Sequence, residues 1–232
     1  MKKILCIADQ IDPIIYDKSI AERYKDIDFI LSAGDLPMEY LDFIQTALNK
    51  PLFFIFGSHY LKALTHYHPE MAEKEGKTEV FAFKKNNQFK SSKGIYLGFK
   101  KYKYDNFLIA GVSGAKKQNE GKNQFTEKQM KRKLLKLVPG LILNKIKYGR
   151  YLDILISHAP PINPQKETDI SVSEELGFEC LLRFIKFFKP KYLVHGQVHI
   201  YDPDKNRTSK IEQTEVVNAY SRYIIEVSDN YI

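Results

Sequence analysis

The sequence has no tryptophan and only two cysteines, Cys6 and Cys180, far apart and outside any C-x-x-C spacing. A disulfide framework and a cysteine-based zinc site are therefore not expected. No hydrophobic run approaches the ~20 residues of a membrane span. At the start, Lys2 and Lys3 precede only Ile4 to Ala8 before Asp9. That apolar stretch is shorter than the ~7–15 residues of a secretory leader. The expectation is a cytoplasmic protein with no transmembrane segment. Neither an internal repeat nor a linker interrupts the chain. Its 232 residues allow one or at most two domains, and a single domain over 1–232 is expected. With 44% hydrophobic residues, the chain is neither disordered nor collagen-like.

Acidic residues are scarce in two places. Lys+Arg number 36 against 28 Asp+Glu, a net charge of +8. Residues 84–104 hold seven Lys and no acid. Residues 126–150 hold eight basic residues (Lys128, Lys131, Arg132, Lys133, Lys136, Lys145, Lys147, Arg150) against Glu127 alone. Such runs read as a solvated face, or as a surface that meets phosphate on nucleic acid, an anionic membrane surface or a small substrate. Between 130 and 146 the basic residues alternate with Met130, Leu134, Leu135, Leu137, Val138, Leu141, Ile142, Leu143 and Ile146. That composition suits an interfacial helix, though the same pattern more often packs a helix on its own core.

Short apolar runs recur, each ending in a residue able to do chemistry. Ile4–Ala8 ends in Asp9, and Asp28–Ala33 in Gly34-Asp35. Pro51–Phe56 ends in Gly57-Ser58-His59, Leu152–Ile156 in Ser157-His158, and Tyr192–Val194 in His195-Gly196-Gln197-Val198-His199. Runs of this length bounded by Gly or polar residues read as buried strands. Helical stretches lie between them, roughly at 18–25, 37–49, 126–147 and 173–189. Pro37 stands near the start of one, and Pro139-Gly140 is expected to split the basic stretch into two helices. Further strands are expected in 80–112 and 215–227. The pattern predicts an α/β fold with a mixed sheet or two facing sheets. In such folds ligands gather at the carboxyl ends of strands. Asp and His together suit a centre for Mn, Fe, Zn or a similar divalent ion.

Some residues carry weaker signals. His195 reads as buried or supporting rather than as a ligand. His66 and His68 read as part of a polar loop, and Lys116 either as a surface lysine or as a contact to a substrate phosphate.

The order Asp9, Gly34-Asp35, Gly57-Ser58-His59, His158, Gly196-Gln197-Val198-His199 resembles the calcineurin-like metallophosphoesterases, whose pattern is D-x-H, G-D, G-N-H, a lone His and G-H-x-H. The stretches 119–130 and 148–161 are similar to those of one bacterial branch. The resemblance implies a four-layer sandwich: two facing mixed β-sheets flanked by helices. It also implies two divalent ions (Mn, Fe, Zn or Mg) and hydrolysis of a phosphomonoester or phosphodiester by metal-activated water. By position, Asp35 would bridge the ions, Asp9 and His199 would bind the first, and His158 the second. His59 would be the catalytic residue, binding the phosphate or protonating the leaving group, a task suited to imidazole because its ordinary pKa lies near neutrality. Lys117 and Asn119 are candidate contacts to a substrate, a phosphate-containing small molecule or nucleotide.

Three ligand positions are substituted. Ile11 stands where the His of D-x-H belongs, Ser58 replaces Asn, and Gln197 replaces the first His of G-H-x-H. Ser58 and Gln197 offer neutral oxygens, weaker donors than imidazole toward transition metals. The second ion site is therefore expected to be weak or empty. Asp12 is either a substitute ligand or a loop residue before Pro13. A protein that keeps the fold and binds an anionic partner without turnover is the alternative.

Overall fold

The computed structural model describes residues 1–68, 94–162, 176–202 and 206–228. Two sheets dominate. The first contains β1 (Lys2–Ile7), β2 (Phe29–Ser32), β3 (Leu52–Phe54), β4 (Ile95–Tyr96) and β13 (Tyr223–Val227), in the order β13-β1-β2-β3-β4. The second contains β5 (Lys101–Tyr104), β6 (Phe107–Val112), β9 (Ile154–Ser157), β10 (Tyr192–His195), β11 (Thr208–Ile211) and β12 (Thr214–Asn218), in the order β11-β12-β10-β9-β6-β5. A small parallel pair joins β7 (Ala115–Lys116) to β8 (Gln124–Phe125). The central pairings are parallel, while β13, β5 and β11 pair antiparallel at the edges.

Strand alternation sorts the core into layers, because successive side chains point to opposite faces. Ile4 and Cys6 of β1 point at the second sheet, and so do Phe29 and Leu31 of β2. They meet Ile109, Ile154, Ile156 and Val194 from that sheet. The intervening residues Leu5, Ile7 and Ile30 face the other way. They pack under α1 (Ile20–Arg23) and α2 (Met38–Leu48), against Ile20, Tyr40, Leu41 and Ile44. On the second sheet Leu108, Ala110, Leu155 and Leu193 face outward. They are covered by α4 (Glu127–Leu135), α5 (Val138–Tyr148) and α6 (Glu179–Phe188). A short turn of helix, α3, spans Leu64–Tyr67. Helix, sheet, sheet and helix are thus the four layers that the family resemblance implies.

Pro139 does not itself break the basic stretch. The first helix ends at Leu135, and Pro139 lies in the first turn of the next. A missing N–H has no intrahelical partner to lose there. Thr126 caps α4 in a reciprocal box with Gln129, satisfying two N–H groups. Strands expected in 215–227 are present as β12 and β13. Residues 84–93 of the first basic run, and 173–175 of an expected helix, lie outside the described residues. Cys6 and Cys180 are both free thiols. No helix among the described residues is long and apolar enough to cross a membrane.

Candidate metal centre

The parallel strands β1, β2, β3, β9 and β10 run in the same sense within their sheets, so their carboxyl ends lie on one side. Asp9, Asp35 and His158 follow β1, β2 and β9 there. Each contributes one donor atom to a group lying within 4.8 Å of one another. His158 is fully buried. Its Nδ1 lies 2.8 Å from the carbonyl oxygen of Ala33. A carbonyl has no proton to give, so Nδ1–H is the donor and Nε2 is left facing the cluster. Nε2 lies 3.2 Å from Asp35 Oδ2, an ion-pair contact when the ring is protonated rather than a well-formed hydrogen bond. A buried imidazole locked by a backbone carbonyl, with its other nitrogen open to a carboxylate, has the geometry of a metal ligand with its outer support in place.

The carboxylates are held as firmly. Asp35 Oδ1 accepts the backbone N–H of His59 at 2.7 Å. Asp9 accepts the backbone N–H of Gln197 on both oxygens, at 3.1 and 2.9 Å. Asp9 (φ 64°), Asp35 (φ 56°) and Gln197 (φ 65°) all adopt left-handed backbone. Aspartate tolerates that region better than most residues, yet three such turns around one cluster fit a site whose surroundings enforce them. Glycine is required at Gly57 by close approach. A Cβ there would overlap Asp35 Oδ1 and stand 2.5 Å from His158 Nε2. Gly34, at φ 101°, would place a Cβ 2.8 Å from His158 Nδ1.

Electrostatics couple the three groups. Burial would lower the pKa of His158, but Asp35 and Asp9 beside it raise it to about 9. Burial pushes Asp35 up, yet the His158 ring and the His59 N–H outweigh it and hold the carboxyl below its ordinary value. Asp9 is raised, chiefly by burial. A cation placed among them would meet two carboxylate groups and one imidazole, a mixed oxygen and nitrogen set that fits a divalent transition ion. The carboxamide oxygen of Gln197 is buried without a hydrogen-bond partner. It stands at one of the expected ligand positions, so an orphaned donor belongs to the same neighbourhood.

The other expected residues lie outside this group of three. His59 is exposed, and its imidazole adds to the positive field on Asp35. Ser58 is half-buried between Gly57 and His59. His199 is exposed and stacks on Tyr220, with ring centroids 4.9 Å apart and planes 30° from parallel. Its Nδ1 lies 3.1 Å from the Tyr201 hydroxyl. Lys117 pairs with Glu120 at 2.7 Å. Asn119 Oδ1 accepts from Gly121 N and Gln124 Nε2, so its side chain shapes its own turn. Ile11 is 39% exposed. His195 is buried and neutral, its pKa pushed down to about 4 by burial, with Nδ1 2.9 Å from the Gly196 carbonyl. His68 Nε2 meets the Tyr96 hydroxyl at 2.7 Å.

Asp12 is no substitute ligand. It is 3% exposed and accepts from Ser221 Oγ at 2.6 Å, from Ile14 N at 2.9 Å and from Arg222. These contacts pin the loop after β1 to the turn before β13.

Two supporting residues had no signal in the sequence. Asn123, buried, donates from Nδ2 to the carbonyls of Phe56 and Gly57, at 3.3 and 2.7 Å. Ser113 Oγ accepts the Phe56 N–H at 3.2 Å. Together they hold the loop that carries Ser58 and His59.

The fold has known counterparts. One solved structure matches with a TM-score of 0.57 and 14% identity, over 95% of this chain and 91% of its own. TT1561 of Thermus thermophilus matches with a TM-score of 0.58 and 12% identity, over 95% and 89% of the two chains. A candidate 5′-nucleotidase from Staphylococcus aureus, solved with alpha-ketoglutarate, matches with a TM-score of 0.55 and 12% identity. That match covers 99% of this chain but 51% of the other. No curated protein matches in sequence. The family model for calcineurin-like phosphoesterases matches residues 3–201, which include the cluster and most of both sheets. The chain belongs to the calcineurin-like phosphoesterase family.

Proposed function

We propose that this protein is a metal-dependent phosphoric ester hydrolase acting on a phosphate-containing small molecule or nucleotide, with one divalent ion held by Asp9, Asp35 and His158. The observation that carries this reading is the buried ring of His158, held through Nδ1 by the Ala33 carbonyl with its Nε2 turned toward Asp35 beside Asp9. An ion bound there supplies Lewis-acid polarisation of a phosphoryl oxygen and a more acidic water. The remaining roles belong to the chain. Asp35 gives one oxygen to the His59 N–H and leaves the other toward His158. Gln197 fixes the orientation of Asp9 through its backbone. The exposed ring of His59, close enough for its charge to act on Asp35, can hydrogen-bond a phosphate or pass a proton to a leaving group. A substrate phosphate reaching the 116–121 turn would compete with Glu120 for Lys117.

A second reading, binding without turnover, is favoured by the surroundings of the missing ligands. Ile11 is apolar and partly exposed, and His199 is engaged with Tyr201 and Tyr220. Metal analysis of protein purified without chelator, with hydrolysis of bis(p-nitrophenyl) phosphate in Mn²⁺, separates the two. One equivalent of metal and turnover abolished by Asp35→Asn supports the hydrolase. One equivalent without turnover on any phosphoester supports the binding protein. Protein that takes up no divalent ion overturns the metal centre itself.

A further inference from the structure

Helices α4 and α5 use one face to cover the second sheet. Met130, Leu134, Leu137 and Leu141 are buried in that layer. Residues spaced at ~100° around a helix place Pro139, Ile142, Leu143 and Ile146 on the opposite side of α5. Ile142 is 46% exposed, Leu143 61% and Ile146 77%, and Leu135 at the end of α4 is 57% exposed. A helix that is apolar on both sides is expected where the second side is also covered.

The exposed charges that α4 and α5 themselves carry beside this ridge are basic. Lys145 and Lys147 lie on either side of the α5 stripe, and both are exposed. Lys128, Lys131 and Arg132 are exposed on α4, and Lys136 is exposed just past its end. Glu127, the one acid of residues 126–150, is turned inward, its carboxylate accepting the Cys180 N–H at 2.5 Å. Each candidate cover can be weighed against this pattern. A second copy docked face to face would bring two basic borders together. Nucleic acid would satisfy the lysines but leave Ile142, Leu143 and Ile146 against water. An anionic bilayer surface satisfies both, since aliphatic side chains enter the headgroup boundary while Lys and Arg meet lipid phosphates.

We propose that the outer face of α4 and α5 docks this protein on an anionic membrane surface. This does not rest on the hydrolase reading. The test is flotation with vesicles of phosphatidylcholine alone, and of phosphatidylcholine and phosphatidylglycerol in equal parts. The protein should float with the anionic vesicles only, and less in high salt. Lys128→Gln, Lys131→Gln and Arg132→Gln together should weaken partitioning by roughly a hundredfold, at about fivefold per charge removed. Ile142→Gln, Leu143→Gln and Ile146→Gln should also abolish flotation, while circular dichroism and metal content stay unchanged. Because the chain has no tryptophan, Ile146→Trp creates a single reporter. Its emission should shift to the blue and be quenched by brominated lipid. Absence of flotation, equal flotation with neutral vesicles, or a Trp that stays in water would overturn the proposal. So would a change in oligomeric state caused by the Gln variants, because the ridge would then be a self-association surface.

Discussion

The backbone N–H of Gln197 donates to both carboxylate oxygens of Asp9, at 3.1 and 2.9 Å, across 188 residues of sequence. The bond joins the carboxyl end of β1 in one sheet to the end of β10 in the other. It comes from the main chain, so replacing the Gln197 side chain need not disturb Asp9. That freedom allows the substituted ligand positions to be changed while the cluster stays in place.

Ile11→His, Ser58→Asn and Gln197→His together should raise metal stoichiometry from one to two equivalents. Histidine tolerates the left-handed backbone at position 197 better than a β-branched residue does. Hydrolysis of an aryl phosphodiester with Mn²⁺ should rise in parallel. Metal content by elemental analysis decides the matter: a folded triple variant that still binds one ion would place the defect in the shape of the site.

The His158–Asp35 pair sets a pH dependence. The metal-free protein carries His158 protonated, with a pKa raised from 6.5 to about 9. The pair therefore stabilises the metal-free fold fully below 6.5, and this contribution is lost as pH rises through about 9. A metal needs the neutral imidazole, so binding should release a proton and tighten as pH rises toward the same value. Calorimetric titration in buffers of different ionisation enthalpy reads the proton count. His158→Ala should remove both the proton release and the alkaline loss of metal-free stability.

Gly57→Ala tests the close approach at the cluster. Its new methyl would meet Asp35 Oδ1 and His158 Nε2 before any ion could. The expected result is loss of metal binding and a destabilisation of about 1–3 kcal/mol, the usual range for overpacking a filled interior. Denaturant unfolding and metal titration measure the two effects. Unchanged metal affinity would show that the ion sits elsewhere.

Asp12 offers a control away from the metal. Burial alone would raise its pKa, but bonds from Ser221, Ile14 and Arg222 hold it below the ordinary carboxylate value. Its stabilisation is present above the unfolded pKa and fades as pH falls through the lower folded one. Asp12→Asn should cost about 1.5–3 kcal/mol at neutral pH, the scale of a charge-assisted hydrogen bond. The cost should shrink in acid, and metal stoichiometry should stay at the wild-type value. A fall in stoichiometry would return Asp12 to the ligand set.

Much of the fold was legible because a buried parallel strand must be apolar on both faces. Ile4–Ala8, Asp28–Ala33 and Leu152–Ile156 therefore stood out as continuous runs, and the residues that ended them were Asp9, Asp35 and His158. Local sequence also set the helix start at Thr126 and the place of Pro139, because caps and missing N–H groups act within one turn. Tertiary structure alone decided which strand-end side chains converge. His59 and His199 end the same kind of run, yet His59 meets the cluster through its backbone and His199 turns to Tyr201 and Tyr220. The supports were invisible for a related reason. Ala33 acts through its carbonyl and Asn123 through one buried amide, so neither residue type announces its task. For 130–146, the sequence left an interfacial helix and a core-packed helix open, and only packing against the second sheet showed that Met130, Leu134, Leu137 and Leu141 are core while Ile142, Leu143 and Ile146 meet solvent. Periodicity describes the geometry of one helix, whereas burial depends on which surface arrives from elsewhere in the chain.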